Sequence, residues 1–154
     1  MTKFKIMKPS TNLPLGILIQ FVEYCNAIRE PVVLIVEGKR DIEALEAIGI
    51  KLINGKILAR KGLSLSKLAD QIYPVSIIIL LLDFDKEGKH MRSDLKKELQ
   101  KRKGHGLIDP YPRQLLYKFF RAARINEIEE VKQFSSIIPK IEDTFKNTNT
   151  HYSK

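Results

Sequence analysis

Val32-Val33-Leu34-Ile35-Val36-Glu37-Gly38-Lys39-Arg40-Asp41 and Val75-Ser76-Ile77-Ile78-Ile79-Leu80-Leu81-Leu82-Asp83-Phe84-Asp85-Lys86-Glu87-Gly88 decide how this chain folds. Each opens on an apolar run without polar alternation, and a strand of that kind must be covered on both faces, as in a parallel sheet between layers of helices. Each run then stops abruptly at acidic residues, Glu37 in the first and Asp83 and Asp85 in the second, with a glycine close behind.

Working outward, a helical pattern follows both runs. Residues 39–48 carry it after the first and end at Gly49, and residues 89–103 carry it after the second, with Met91, Leu95 and Leu99 inward and Gly104 and Gly106 as terminators. Between them, 51–53 reads as a short strand, 57–62 as irregular, and Ser64 as the cap of a helix over 65–72 stopped by Pro74. Before the first run, the apolar spacing from Leu15 to Ile28 predicts a lead-in helix that follows Pro14 and a basic, polar stretch 1–12. After Gly106, Leu107-Ile108 reads as a fourth short strand, 111–124 and 127–134 as helices, Pro139 as an interruption, and 147–154 as a disordered polar tail. The alternation predicts an α/β fold, an open and mainly parallel sheet of about four strands flanked by helices. Ligands in such sheets bind beyond the carboxyl ends of the strands, where the strand order reverses. Were the two acid-terminated strands neighbours, three carboxylates would converge there.

Composition narrows the class of partner. The chain has 154 residues, a net charge of +9, 44% hydrophobic and 29% charged residues. Those proportions exclude disordered, collagenous and disulfide-stapled proteins and fit one compact domain. The charge surplus favours a polyanionic partner. Cys25 is the only cysteine, so neither a disulfide within the chain nor a cysteine zinc site can form, and a reducing, cytoplasmic setting is expected. The densest apolar run, 75–82, is far shorter than the roughly 20 residues that span a bilayer. Neither a signal peptide nor a membrane partner is expected.

Packed carboxylates repel one another unless a cation compensates. Oxygen ligands without a nearby histidine or cysteine suit Mg2+, with Mn2+ as an alternative, and Asp83-x-Asp85 can offer two carboxylates to one ion or bridge two. Gly38 and Gly88 would let the backbone turn sharply and bring helix N-termini to a phosphate. Asp41 is expected to support the site or cap its helix. Residues 86–103 hold eight basic residues against three acidic ones. Lys86, Lys89, Arg92 and Lys96, with Lys39 and Arg40 beside Glu37, are the candidate phosphate-backbone contacts. Arg113, Arg121 and Arg124 read more simply as solvated surface, and Tyr111, Tyr117, Phe119 and Phe120 as helix packing.

The pair Val36-Glu37-Gly38-Lys39-Arg40-Asp41 and Asp83-Phe84-Asp85-Lys86-Glu87-Gly88, each preceded by an apolar strand and followed by a helix, resembles the Toprim domain over about residues 31–110. The resemblance implies a Rossmann-like fold in which Glu37 is the general acid or base of phosphoryl transfer and Asp83 and Asp85, with Glu37, hold Mg2+. It implies a division into a basic lead-in and helix (1–30), the Toprim domain (31–110), a helical extension (111–146) and the tail (147–154). A chain of this length lacks room for a topoisomerase's gating domains, and one cysteine cannot furnish a primase's zinc module, so the small stand-alone, archaeal-type Toprim proteins match better. The expected function is Mg2+-dependent phosphoryl transfer on nucleic acid, as a small nuclease or RNA-processing enzyme with RNA favoured over DNA. The alternative is a non-catalytic module that binds metal and nucleic acid for a partner enzyme. Titration with Mg2+ or Mn2+ in a calorimeter should show binding to the wild type that Asp83→Asn combined with Asp85→Asn abolishes. Unchanged binding in that variant would remove the metal site.

Overall fold

The structure is a computed structural model that describes the backbone of residues 2–82, 84 and 86–138 and the side chains of 13–82, 84 and 90–138. Asp83, Asp85, the side chains of Lys86, Gly88 and Lys89, the Pro139 interruption and the 147–154 tail lie outside the described residues.

Four strands, β1 (Val32–Val36), β2 (Gly55–Ala59), β3 (Ile77–Leu80) and β4 (Leu107–Ile108), form one sheet in the order β2-β1-β3-β4. Every pairing is parallel. All five β1 side chains are buried, as its unbroken apolar run requires. Successive residues point to opposite faces, so the sheet feeds two cores. Val32, Leu34 and Val36 with Ile79 and Leu81 pack under α1 (Thr2–Asn26), α2 (Lys39–Ala47), α5 (Tyr111–Ala123) and a 3-10 helix (Ile128–Phe134). Val33 and Ile35 with Ile78, Leu80 and Leu82 pack under α3 (Leu65–Ile72) and α4 (Lys86–Gln100). Burial of each such aliphatic side chain is worth about 1.5–3 kcal/mol, which makes β1 the strand most costly to displace.

The chain steps from β1 to β2 on one side, then crosses to β3 on the other. The strand order therefore reverses between β1 and β3, and these are the two acid-terminated strands.

Several boundaries differ from the sequence reading. Residues 51–53 are not a strand, because Asn26 captures this loop: its Nδ2 donates to the Gly49 carbonyl (2.8 Å) and its Oδ1 accepts from the Lys51 amide (2.7 Å). The pairing partner of β1 begins instead at Gly55, in the span expected to be irregular. The central strand is trimmed to Ile77–Leu80, and α4 starts at Lys86 rather than residue 89, so Gly88 lies inside its first turn. The segment expected as a helix over 127–134 is 3-10, with Glu130 Oε1 accepting from the Asn126 and Glu127 amides. Helix α1 begins at Thr2 and passes through Pro14, since a proline removes one hydrogen bond and the helix beyond it is anchored along α5.

Two polar ties hold the α1–α5 layer. The Tyr24 hydroxyl donates to Asp109 Oδ2 (2.6 Å), while Asp109 Oδ1 accepts from the Tyr111 amide (3.0 Å). The hydrogen bond to Asp109, reinforced by burial, pushes the Tyr24 phenol up to about 12. At the opposite edge, a Cβ on Gly106 would run into the Val75 carbonyl oxygen, so only glycine lets β4 approach β3 there. Gly106→Ala should therefore lower stability by about 1–3 kcal/mol in chemical denaturation, and a midpoint equal to wild type would show that the edge yields freely.

Candidate metal and nucleic-acid site

Glu37 follows directly on β1, and the ladder continues past the strand ends: the Leu81 amide donates to the Ile35 carbonyl (2.9 Å) and the Lys61 amide to the Glu37 carbonyl (2.9 Å). Glu37 is thereby held at the carboxyl edge of the sheet between the ends of β2 and β3. A cavity of about 250 Å³ opens there, lined by Glu37, Asp41, Leu81, Leu82, Phe84 and the 126–129 segment. Phe84, the residue between Asp83 and Asp85, is half-buried, with its ring 4.6 Å from that of Phe120 on α5. Phe84 is thus tied through its ring to the helical extension.

The start of α2 forms a second wall. Gly38 is extended (φ −146°, ψ 177°), a conformation open to any residue, so the expected sharp turn at this glycine is absent. A Cβ at Gly38 would meet nothing within 4 Å, so its hydrogen leaves free space in front of the helix N-terminus. Asp41 caps its helix, with its Oδ2 accepting from the Gly38 amide (3.2 Å), and it also lines the cavity. Burial, aided by the negative charge of Glu129, raises the Asp41 carboxyl above the usual range against the lowering pull of backbone amides. Glu127 is raised as well, chiefly by a hydrogen bond shared with Glu129, then by burial and the charges of Glu129, Glu130 and Asp41.

Four residues absent from the sequence-based site converge here. Arg60 Nη1 donates to Glu37 Oε1 at 3.4 Å, with the arginine side chain 29% exposed and its Nε buried without a hydrogen-bond partner among the described residues. Lys61 follows it, and together with Lys39 and Arg40 they line a cleft of about 880 Å³ that also contains Glu43 and shares Glu37, Asp41 and Glu129 with the acidic cavity. Arg60 and Lys61 sit just past β2, so placing that strand at 55–59 would have put them on the carboxyl edge. Glu127 and Glu129 reach the cavity only through the packing of the 3-10 helix on α2, which no local pattern signals. Arg40 lies 4.0 Å from Glu129, an exposed pair of small energetic weight.

The predicted basic track on α4 is only partly presented. Lys96 is exposed, but Arg92 is half-buried with its Nε enclosed, and Arg102 is engaged by Asp70 (2.8 Å) and Glu98 (3.4 Å). Among the described residues no three acidic, histidine or cysteine side chains form a metal-binding group. The donors present are nonetheless of the right kind. Glu37 supplies a hard oxygen at the carboxyl edge of the sheet, and Asp41, Glu127 and Glu129 add further carboxylates to the lining of the same cavity.

Comparison with known proteins agrees with this architecture. The Toprim domain model matches residues 32–128. UPF0292 protein MJ1624 of Methanocaldococcus jannaschii is 31% identical over 87 residues, which cover 55% of this chain and 66% of that protein. Among solved structures, a putative protein from Aquifex aeolicus superposes with a TM-score of 0.55 at 28% identity, covering 72% of this chain and 94% of its own. None of the helices, among the described residues, is long and apolar enough to cross a membrane.

Because the folded state raises the Asp41 carboxyl, it binds a proton there more readily than the unfolded chain, and ionisation of Asp41 as pH rises through the carboxylate range costs stability. Asp41→Asn keeps an acceptor for the Gly38 amide and removes the charge, so its metal-free melting temperature at neutral pH should equal or exceed wild type. The variant should also lose part of the wild-type fall in stability between acidic and neutral pH. A clear drop in its melting temperature would show that the carboxylate is needed as a charged cap.

Proposed function

Since the chain belongs to the Toprim domain family, whose members are metal-binding and act on nucleic acid, we propose that it is a small metal-dependent nuclease or RNA-processing enzyme that hydrolyses a phosphodiester, with RNA the favoured polymer. The observation that carries this reading is the placement of Glu37 where an acidic cavity opens into a cleft in which Lys39, Arg40, Arg60 and Lys61 stand among the carboxylates of Glu37, Asp41, Glu43 and Glu129. An acid–base carboxylate beside an anion-binding wall is what phosphoryl transfer needs, because its transition state gathers charge on the phosphoryl oxygens while a proton moves.

Asp83, Asp85 and Glu37 would hold Mg2+ or Mn2+, which when bound neutralises the scissile phosphate and acidifies a bound water. Arg60, whose side chain is 29% exposed, offers its terminal guanidinium nitrogens to a non-bridging phosphate oxygen. Lys39, Arg40 and Lys61 hold the flanking backbone and exchange counterions for it, which makes affinity fall with salt. Glu37 takes a proton from the attacking water and can return it to the leaving oxygen as the P–O bond breaks. Arg60 keeps the Glu37 carboxylate oriented until substrate arrives.

Glu37→Gln separates chemistry from binding. The amide can still accept from Arg60 but cannot carry the proton, so cleavage of labelled RNA or DNA with Mg2+ should drop by about 10²–10⁴-fold while affinity for uncut substrate stays close to wild type. Wild-type protein that binds these polymers and never cuts them with either metal would reduce the function to that of a binding module. Activity surviving in the Asp83/Asp85 double variant would be contamination.

A further inference from the structure

Helix α5 and its cap carry Arg113, Lys118, Arg121 and Arg124 with no acidic residue from Tyr111 to Ile125. The inner face of the helix, Leu115, Leu116, Phe119 and Phe120, is buried, whereas Tyr117, Lys118, Arg121 and Arg124 are exposed. On the outer face an aromatic ring lies between two cations one turn either side of it: the Arg113 guanidinium is 4.9 Å and the Arg121 guanidinium 5.9 Å from the centre of the Tyr117 ring. Arg113 also lies 5.6 Å from the centre of the Phe84 ring, so the array runs up to the residue between Asp83 and Asp85.

We infer that this face of α5 is a platform for single-stranded nucleic acid, along which bases stack on Tyr117 and the flanking guanidiniums while Lys118, Arg121 and Arg124 contact phosphates. The inference rests on the proposed nuclease reading for its ligand and adds the route by which the strand reaches the site. An acid-free helix complements a polyanion, whereas α4 mixes its bases with Asp94 and Glu98. A tyrosine that is 40% exposed and flanked by guanidiniums provides the planar surfaces that unpaired bases use and that a duplex keeps internal. Cation–π contact also orders the arginines before binding, so less freedom is lost when phosphate arrives.

Arg124 adds an independent sign. It is the only non-glycine residue with positive φ among the described residues (φ 59°, ψ 45°), at a helix end where glycine is the usual choice. The Ile125 amide closes the turn on the Phe120 carbonyl (3.0 Å), so the conformation is imposed by the cap, and an arginine there carries strain that a glycine would not.

Fluorescence anisotropy with the full chain tests the platform, using a labelled single-stranded RNA, the matching single-stranded DNA and the duplex DNA, all in EDTA so that cutting plays no part. Tyr117→Ala with Arg121→Gln should weaken single-strand binding by about tenfold or more, weaken duplex binding distinctly less, and leave Mg2+ titration unchanged. Tyr117→Phe should restore the stacking share. Arg124→Gly should raise the melting temperature and still weaken single-strand binding. Single-strand affinity unchanged in the double variant, or an equal fall for duplex and single strands, overturns the platform, as does failure of the wild type to bind any of the three probes. A wild type that binds through this face and never cleaves defeats the nuclease reading alone. Cleavage that survives with unchanged KM in the double variant defeats the platform alone.

Discussion

The interior of this protein is organised by β1, whose residues from Val32 to Val36 contain no polar side chain and are all buried. Such a strand has no solvated face and no free edge, so it must be paired on both sides and covered above and below. Parallel partners β2 and β3 satisfy the backbone, and two helical layers take the alternating side chains. With β1 central and the chain leaving it first to one side and then to the other, the strand order reverses beside Glu37. The location of the site is a consequence of how β1 is buried.

The site is rich in carboxylates although the chain as a whole is strongly basic. Asp41, Glu127 and Glu129 face the cavity next to Glu37, and the charge of Glu129 adds to burial in making Asp41 and Glu127 harder to ionise. Arg60 faces the same glutamate from the end of β2. A folded chain gains nothing in stability from holding acids so close.

The helical extension is part of this arrangement rather than an addition to it. Phe120 holds Phe84 in the loop after β3, and the 3-10 helix brings Glu127 and Glu129 to α2. Tyr24 and Asp109 tie the start of α5 to α1, so the extension, the lead-in helix and the sheet share one core. The Toprim match reaching residue 128 agrees with that continuity.

Much of this was legible in the residues alone. The apolar runs at 32–36 and 75–82, the helices after them and the acids at their ends depend on local periodicity and composition, so the α/β class, the parallel sheet and the place of Glu37 followed from sequence. The residue types Glu37, Asp83 and Asp85 likewise determined the kind of cation to expect, since ligand hardness is a property of the side chain. What tertiary structure decided is whatever depends on distant partners. Asn26 captures Lys51 and so moves the β2 pairing to Gly55, which sets Arg60 on Glu37. The 3-10 helix adds its acids from far along the chain, and Arg113 of α5 meets the ring of Phe84 in the site's lining. An arginine on an exposed helix face looks the same in sequence whether it faces open water or a functional loop, because the difference is made by packing between elements and not by its neighbours in the chain.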